Sequence, residues 1–124
     1  MFEQLGLIGC GLMGGSFALA LKQAGLVKRV VGYSKSPSTT ERARQLGVID
    51  VAAPSALLAV SGADLVLIAA PPSLHADMTV AALEAGASVL CEKPFCASLA
   101  ELDRIEAAER RTGKFAACIF QQRF

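Results

Sequence analysis

The stretch Leu5-Gly6-Leu7-Ile8-Gly9-Cys10-Gly11-Leu12-Met13-Gly14 decides the fold. A short apolar run, the mark of a strand, gives way at Gly9 to a GxGxxG pattern that opens a segment of helical spacing. Each glycine has a separate physical task there. Gly9 permits a tight turn, Gly11 lets the backbone approach a pyrophosphate with no Cβ in the way, and Gly14 lets the helix lie close on the strand. The free N–H groups around Leu12 and Met13, at the positive end of the helix dipole, would hold the phosphate charge. The competing reading of the same glycines is a strand-to-helix turn that holds no ligand.

Outward from this loop, apolar runs alternate with segments of helical period, punctuated by Gly, Pro or Ser, as in repeated βα units. Strands are expected over residues 5–9, 29–33, 49–52, 64–69, 88–92 and 115–120. Several are continuously apolar, as strands covered on both faces should be. The first helix is expected over 12–24, with Met13, Phe17, Ala20, Leu21 and Ala24 inward and Gly25 ending it. The second begins after Ser36, with Pro37 at its first position and a capping box in Ser38-x-x-Glu41, and ends at Gly47. A short third covers 55–60; a fourth starts near Ser73, buries Met78, Ala81 and Leu83, and stops at Gly86. A second capping box, Ser98-x-x-Glu101, opens the fifth, which closes on Arg110-Arg111. This inventory predicts an α/β, doubly wound parallel sheet with strand order 3-2-1-4-5-6, the three-layer dinucleotide-binding (Rossmann) architecture, as one domain over residues 1–124.

Composition narrows the partners. The 124 residues are 53% hydrophobic and 19% charged with formal net charge +1, which gives no footprint for a polyanion, so no nucleic-acid partner is expected. No apolar run approaches a membrane span and no leader pattern is seen, which places the chain in the cytoplasm away from membranes. Cys10, Cys91, Cys96 and Cys118 show neither CxxC nor a zinc-like pattern with histidine, so they read as reduced and structural, with no metal site.

The end of the second strand reads Gly32-Tyr33-Ser34-Lys35-Ser36. About 20 residues beyond the glycine loop an acid normally bonds the adenosine ribose of NAD; here it is missing. A carboxylate would repel the 2′-phosphate of NADP, whereas a hydroxyl followed by a cation could accept it, so NADP is favoured over NAD. The other reading leaves Lys35 solvated and Ser34 bonded to either ribose.

Two family resemblances follow. The run Gly6 to Ser16, with Ala18, Ala20, Leu21 and Lys22 and then Val30-Val31-Gly32-Tyr33, resembles the N-terminal domain of prephenate and arogenate dehydrogenases up to about residue 70. From there Pro71-Pro72-Ser73-Leu74-His75-Ala76, Ala82-Leu83-Glu84-Ala85-Gly86, Val89-Leu90-Cys91-Glu92-Lys93-Pro94 and the ending Phe120-Gln121-Gln122-Arg123-Phe124 are similar to the glucose-fructose oxidoreductase and inositol dehydrogenase (Gfo/Idh/MocA) family. Together they imply a chimera, engineered from two Rossmann halves joined near residues 68–72 and without a substrate domain; a natural recombinant or divergent fragment is the alternative.

The second resemblance implies that Glu92 positions the nicotinamide side. It also implies that Lys93 contacts the nicotinamide ribose and a substrate hydroxyl as proton donor, the one candidate catalytic residue, aimed by a cis Pro94. Without it, Glu92-Lys93-Pro94 is a surface turn. His75 falls along the cofactor groove or on a solvated first turn, and Ala70, before Pro71, stands where that family commonly has Thr. The expected function is dinucleotide binding without appreciable turnover. The alternatives are an NAD(P)-dependent dehydrogenase completed by dimerisation, through apolar surface near residues 93–97 and 120–124, or a ligand-free scaffold; monomer and homodimer stay open.

Overall fold

A computed structural model describes residues 2–9, 12–69, 75–92 and 98–119. Six strands, β1 (Phe2–Ile8), β2 (Val27–Tyr33), β3 (Val51–Ala52), β4 (Leu65–Ile68), β5 (Ser88–Glu92) and β6 (Ala116–Ile119), alternate with five helices. These are α1 (Leu12–Gln23), α2 (Pro37–Gln45), α3 (Ala56–Val60), α4 (His75–Glu84) and α5 (Leu99–Thr112). All strand pairings are parallel, in the order β3-β2-β1-β4-β5-β6, as expected from the sequence.

Alternation along the strands divides the core in two. Leu5 and Leu7 of β1, Val30 of β2 and Leu65 and Leu67 of β4 pack with Ala18 of α1 and Ala43 of α2. On the other face Ile8, Val31, Val66, Ile68, Val89 and Cys91 meet Ala59 and Val60 of α3, Ala82 and Leu83 of α4, and Ile105 and Ala108 of α5. A sheet covered on both faces explains the uninterrupted apolar strands. No helix among the described residues is long and apolar enough to cross a membrane.

Three local expectations change. Ser36, not Ser38, caps α2: its hydroxyl accepts from the Thr39 amide at 3.4 Å with Pro37 in the first turn. Proline lacks an N–H and is preset for the first helical position, so the cap falls on the residue before it. Ser38 instead bonds the Ser36 hydroxyl at 2.9 Å, and Glu41 pairs with Arg44. On α1 Phe17 and Leu21 pack on the core as expected, but Gly14, Gly15 and Ala18 are the buried residues, while Ala20, and Ala24 just beyond the helix, are exposed. On α4 the buried residues are His75, Ala76, Thr79, Ala82 and Leu83, with Met78 half-buried and Ala81 exposed. By contrast Ser98 caps α5 as expected, accepting from the Glu101 amide at 3.2 Å, and Gly113 ends the helix in the left-handed region.

Two carboxylates fasten the edge of the sheet where the strands begin. Asp64 accepts from the amides of Glu3 and Gln4, both at 3.0 Å. Asp50 accepts from the Val30 amide at 2.8 Å and pairs with Lys22 at 2.7 Å. Burial alone would raise the Asp64 carboxyl, but the Glu3 and Gln4 amides outweigh it and hold the group below its ordinary value. A carboxyl depressed in the folded state stabilises the fold above its unfolded pKa and loses that contribution as pH falls through its folded value. Asp64→Asn, which keeps one acceptor of the two, is therefore expected to cost on the order of 1 kcal/mol at pH 7. The gap between variant and wild type should narrow as the pH falls below about 4. Urea midpoints measured at pH 7 and pH 3 check both statements.

Candidate functional site

The chain leaves β1 at its C-terminal end, and β2 and β4 flank it on opposite sides, so the crevice where the strand order reverses opens beside Gly9. In open α/β sheets ligands bind at this switch point. Gly9 takes φ 90°, a conformation that an L side chain rarely adopts, and its amide donates to the Tyr33 carbonyl at 2.7 Å. Next door the Ala69 amide donates to the Ile8 carbonyl at 2.8 Å, which ties the end of β4 to the same point. α1 begins at Leu12 with no acidic residue in its first turn, so the positive end of its dipole stays unneutralised by its own side chains.

Gly14 is where the helix meets the strand ends. A Cβ there would lie 2.7 Å from the Ala69 Cβ and 2.8 Å from the Gly9 carbonyl oxygen, closer than real side chains come. There is therefore no room for a side chain at this point, and α1 packs closely on the ends of β1 and β4. A pyrophosphate fits this arrangement chemically: it needs backbone donors, a positive helix end and no side chain in between.

Beside the crevice lies an open cleft of about 420 Å³ between the ends of β2 and β3 and the start of α2, lined by Tyr33, Ser34, Lys35, Pro37, Thr40, Glu41, Ala52, Ala53 and Pro54. Ser34 and Lys35, expected at the ribose end, both line it. Ser36 does not line it but caps the helix that forms its wall. Lys35 is exposed and makes no ion pair among the described residues, whereas Glu41 is paired with Arg44, whose hydrogen bond holds its carboxyl below the ordinary value. α2 has no acidic residue in its first turn. The unpaired charge around this cleft is therefore positive.

Sequence reasoning missed Thr40, Glu41 and the segment 52–54. The strand order itself held the signal for the last, since it seats the end of β3 beside the end of β2. Thr40, four residues from the Ser36 cap, faces back under the turn and is buried at 5% exposure.

His75 is the first residue of α4 and is buried at 1% exposure, which overturns a solvated first turn. Glu92 ends β5, in register with Ile119 of β6. Leu12 and Met13 form the first turn of α1. Gly11, Ala70, Pro71 and Lys93 lie outside the described residues, as do Cys10, Cys96 and the surface expected to drive dimerisation. Cys91 is buried on β5. Among the described residues no group of three or more His, Cys, Asp or Glu could hold a metal ion.

The fold, the switch-point crevice and the close-packed glycine together define a domain of Rossmann, dinucleotide-binding type. The chain belongs to the Gfo/Idh/MocA oxidoreductase family, NAD-binding Rossmann fold, whose model matches residues 4–120. It is 35% identical over 118 residues to inositol 2-dehydrogenase 1 of Saccharopolyspora erythraea, covering 92% of this chain and 35% of the relative. It is 34% identical over 119 residues to a putative UDP-kanosamine synthase oxidoreductase subunit of Amycolatopsis mediterranei, covering 94% and 33%. Among solved structures, an NAD-binding oxidoreductase from Klebsiella pneumoniae superposes with a TM-score of 0.85 at 27% identity over 95% of this chain and 34% of that one. The chain thus spans about a third of the length of these relatives.

The match runs without a break through residues 68–72, where a junction between two families was expected. One family accounts for both halves, and neither a prephenate dehydrogenase segment nor a chimera is supported. The glycine-loop likeness behind that expectation has a physical origin. Rossmann domains of different families lay the same helix N-terminus on a pyrophosphate and so share the GxGxxG spacing.

Proposed function

We propose that this domain binds a nicotinamide dinucleotide across the C-terminal edge of its sheet. The pyrophosphate lies on Gly9, Gly11, Leu12, Met13 and Gly14, and the adenosine end in the cleft at Ser34, Lys35 and Ser36. The nicotinamide end extends toward Ala70, Pro71, His75, Glu92 and Lys93. The observation that carries this reading is the close packing of α1 on the strand ends at Gly14, where a Cβ would lie 2.7 Å from the Ala69 Cβ and 2.8 Å from the Gly9 carbonyl oxygen, which seats the positive end of the helix beside the switch-point crevice. Bound there, the cofactor would supply a hydride acceptor or donor. Lys93, through the family likeness, would be the group that moves the accompanying proton of a substrate hydroxyl. The inositol 2-dehydrogenase of S. erythraea suggests a cyclic polyol or related sugar as the substrate class for the whole protein.

The 2′-phosphate form is the preferred cofactor. No carboxylate ends β2, Lys35 is unpaired among the described residues, and Glu41 has its charge neutralised by Arg44. Titration with NADP and NAD side by side is expected to show tighter binding of NADP. Lys35→Ala should weaken NADP about five- to tenfold, the loss of roughly one charged hydrogen bond to phosphate in a partly solvated site. It should leave NAD within about twofold, since NAD has no group there to lose. Equal affinities in the wild type, unmoved by Lys35→Ala, would rule out the preference and leave the dinucleotide reading intact.

A further inference from the structure

Ser34 and Thr40 form a closed hydroxyl triangle under the cleft. The Ser34 Oγ lies 2.7 Å from the Thr40 Oγ1 and donates to the Ser36 carbonyl at 2.8 Å, and the Thr40 Oγ1 reaches the same carbonyl at 3.2 Å. Ser34 is half-buried and Thr40 is buried, yet both line the cleft, so the pair makes its floor. Two hydroxyls bring two protons to three contacts, and the carbonyl brings none. With both protons turned inward, Ser34 shows a ligand only lone pairs and can accept from a ribose 2′-hydroxyl. If Ser34 turns its proton outward, Thr40 can still donate to the Ser34 Oγ. The Ser36 carbonyl then keeps the Thr40 backbone amide at 3.2 Å. That second state is a relay, Thr40 to Ser34 to ligand, in which each bond polarises the next.

We infer that Thr40 is a positioning residue for cofactor selection: its buried hydroxyl holds Ser34 so that Ser34 donates to a 2′-phosphate. This rests on the dinucleotide reading of the site and deepens it, since Thr40 itself need not touch the ligand. Removing the Thr40 hydroxyl takes away the donor that satisfies Ser34 when its proton turns outward, so Ser34 keeps the bond it already makes to the Ser36 carbonyl and withholds that proton from the phosphate. NADP should then lose affinity while NAD, which asks Ser34 only for a lone pair, keeps its own.

Thr40→Val, Thr40→Ala and Thr40→Ser, titrated with NADP and with NAD and melted thermally, test the idea. The Val and Ala variants are expected to lower the ratio of NADP to NAD affinity three- to tenfold, and Ser, which restores the hydroxyl, should bring the ratio back to within about twofold of wild type. Two variants without the hydroxyl are named so that one which fails to fold leaves the other to be read. A lower melting temperature with an unchanged or raised ratio overturns the proposal, because a purely structural threonine would act that way. Failure of the wild type to bind either nucleotide overturns the site reading, and the inference with it.

Discussion

Gly14→Ala is expected to cost the fold about 1–2 kcal/mol and to weaken dinucleotide binding at least tenfold. Helix propensity works the other way, favouring Ala over Gly by about 1 kcal/mol in a helix interior. Overpacking a closed site costs about 1–3 kcal/mol, and here the added carbon meets Ala69 at 2.7 Å and the Gly9 backbone carbonyl at 2.8 Å. A carbonyl fixed between strand and helix has no rotamer through which to yield. The helix must lift, and its first turn moves away from the phosphate position, so affinity falls more than stability alone requires. The melting temperature should drop by about 4 °C per kcal/mol for a domain of this size. A stable Gly14→Ala variant that binds as the wild type does would show that the close approach serves packing only.

Gly6→Val should be the most damaging single change to stability, on the order of 3 kcal/mol, with little specific effect on cofactor affinity in the protein that remains folded. The Cβ alone would stand 2.6 Å from the Ala59 carbonyl oxygen and 3.4 Å from the Ala63 Cβ, and valine adds two methyls to that contact. Lower unfolded-state entropy offsets no more than about 1 kcal/mol. Gly6 faces α3, on the side of β1 away from Leu5 and Leu7 and therefore away from α1. Gly6, within β1 and facing α3, and Gly14, in α1 against the other face of the sheet, thus separate packing from binding: denaturant unfolding reads both, and titration responds specifically to Gly14. Equal loss of affinity in both variants would mean that the loop simply reports global stability.

Much of this was legible in the sequence, and what escaped did so for physical reasons. The strand order follows from apolar runs and right-handed crossovers, and the Ser98 cap of α5 from the pattern of its first turn. The phase of α1 was only partly legible. Phe17 and Leu21 face the core as expected, but Leu12-Met13-Gly14-Gly15-Ser16-Phe17-Ala18 is apolar almost all round, so periodicity did not single out the buried Gly14, Gly15 and Ala18. α4 hides its phase differently, burying the polar His75 and Thr79 and exposing Ala81. Two overlapping cap patterns in Ser36-Pro37-Ser38 were resolved by the proline. Thr40 escaped because its importance lies in a bond to Ser34 that exists only once α2 has folded back under the turn.

The most direct test is a calorimetric titration of this chain with NADP and NAD at 25 °C, paired with thermal melts at saturating nucleotide. Saturable binding at one site per chain is expected, with a melting temperature that rises with ligand concentration as linkage requires and a response lost in Gly14→Ala. No heat and no movement of the melting curve at millimolar concentrations of either nucleotide would contradict the assignment of the Gly9–Gly14 crevice as a dinucleotide site.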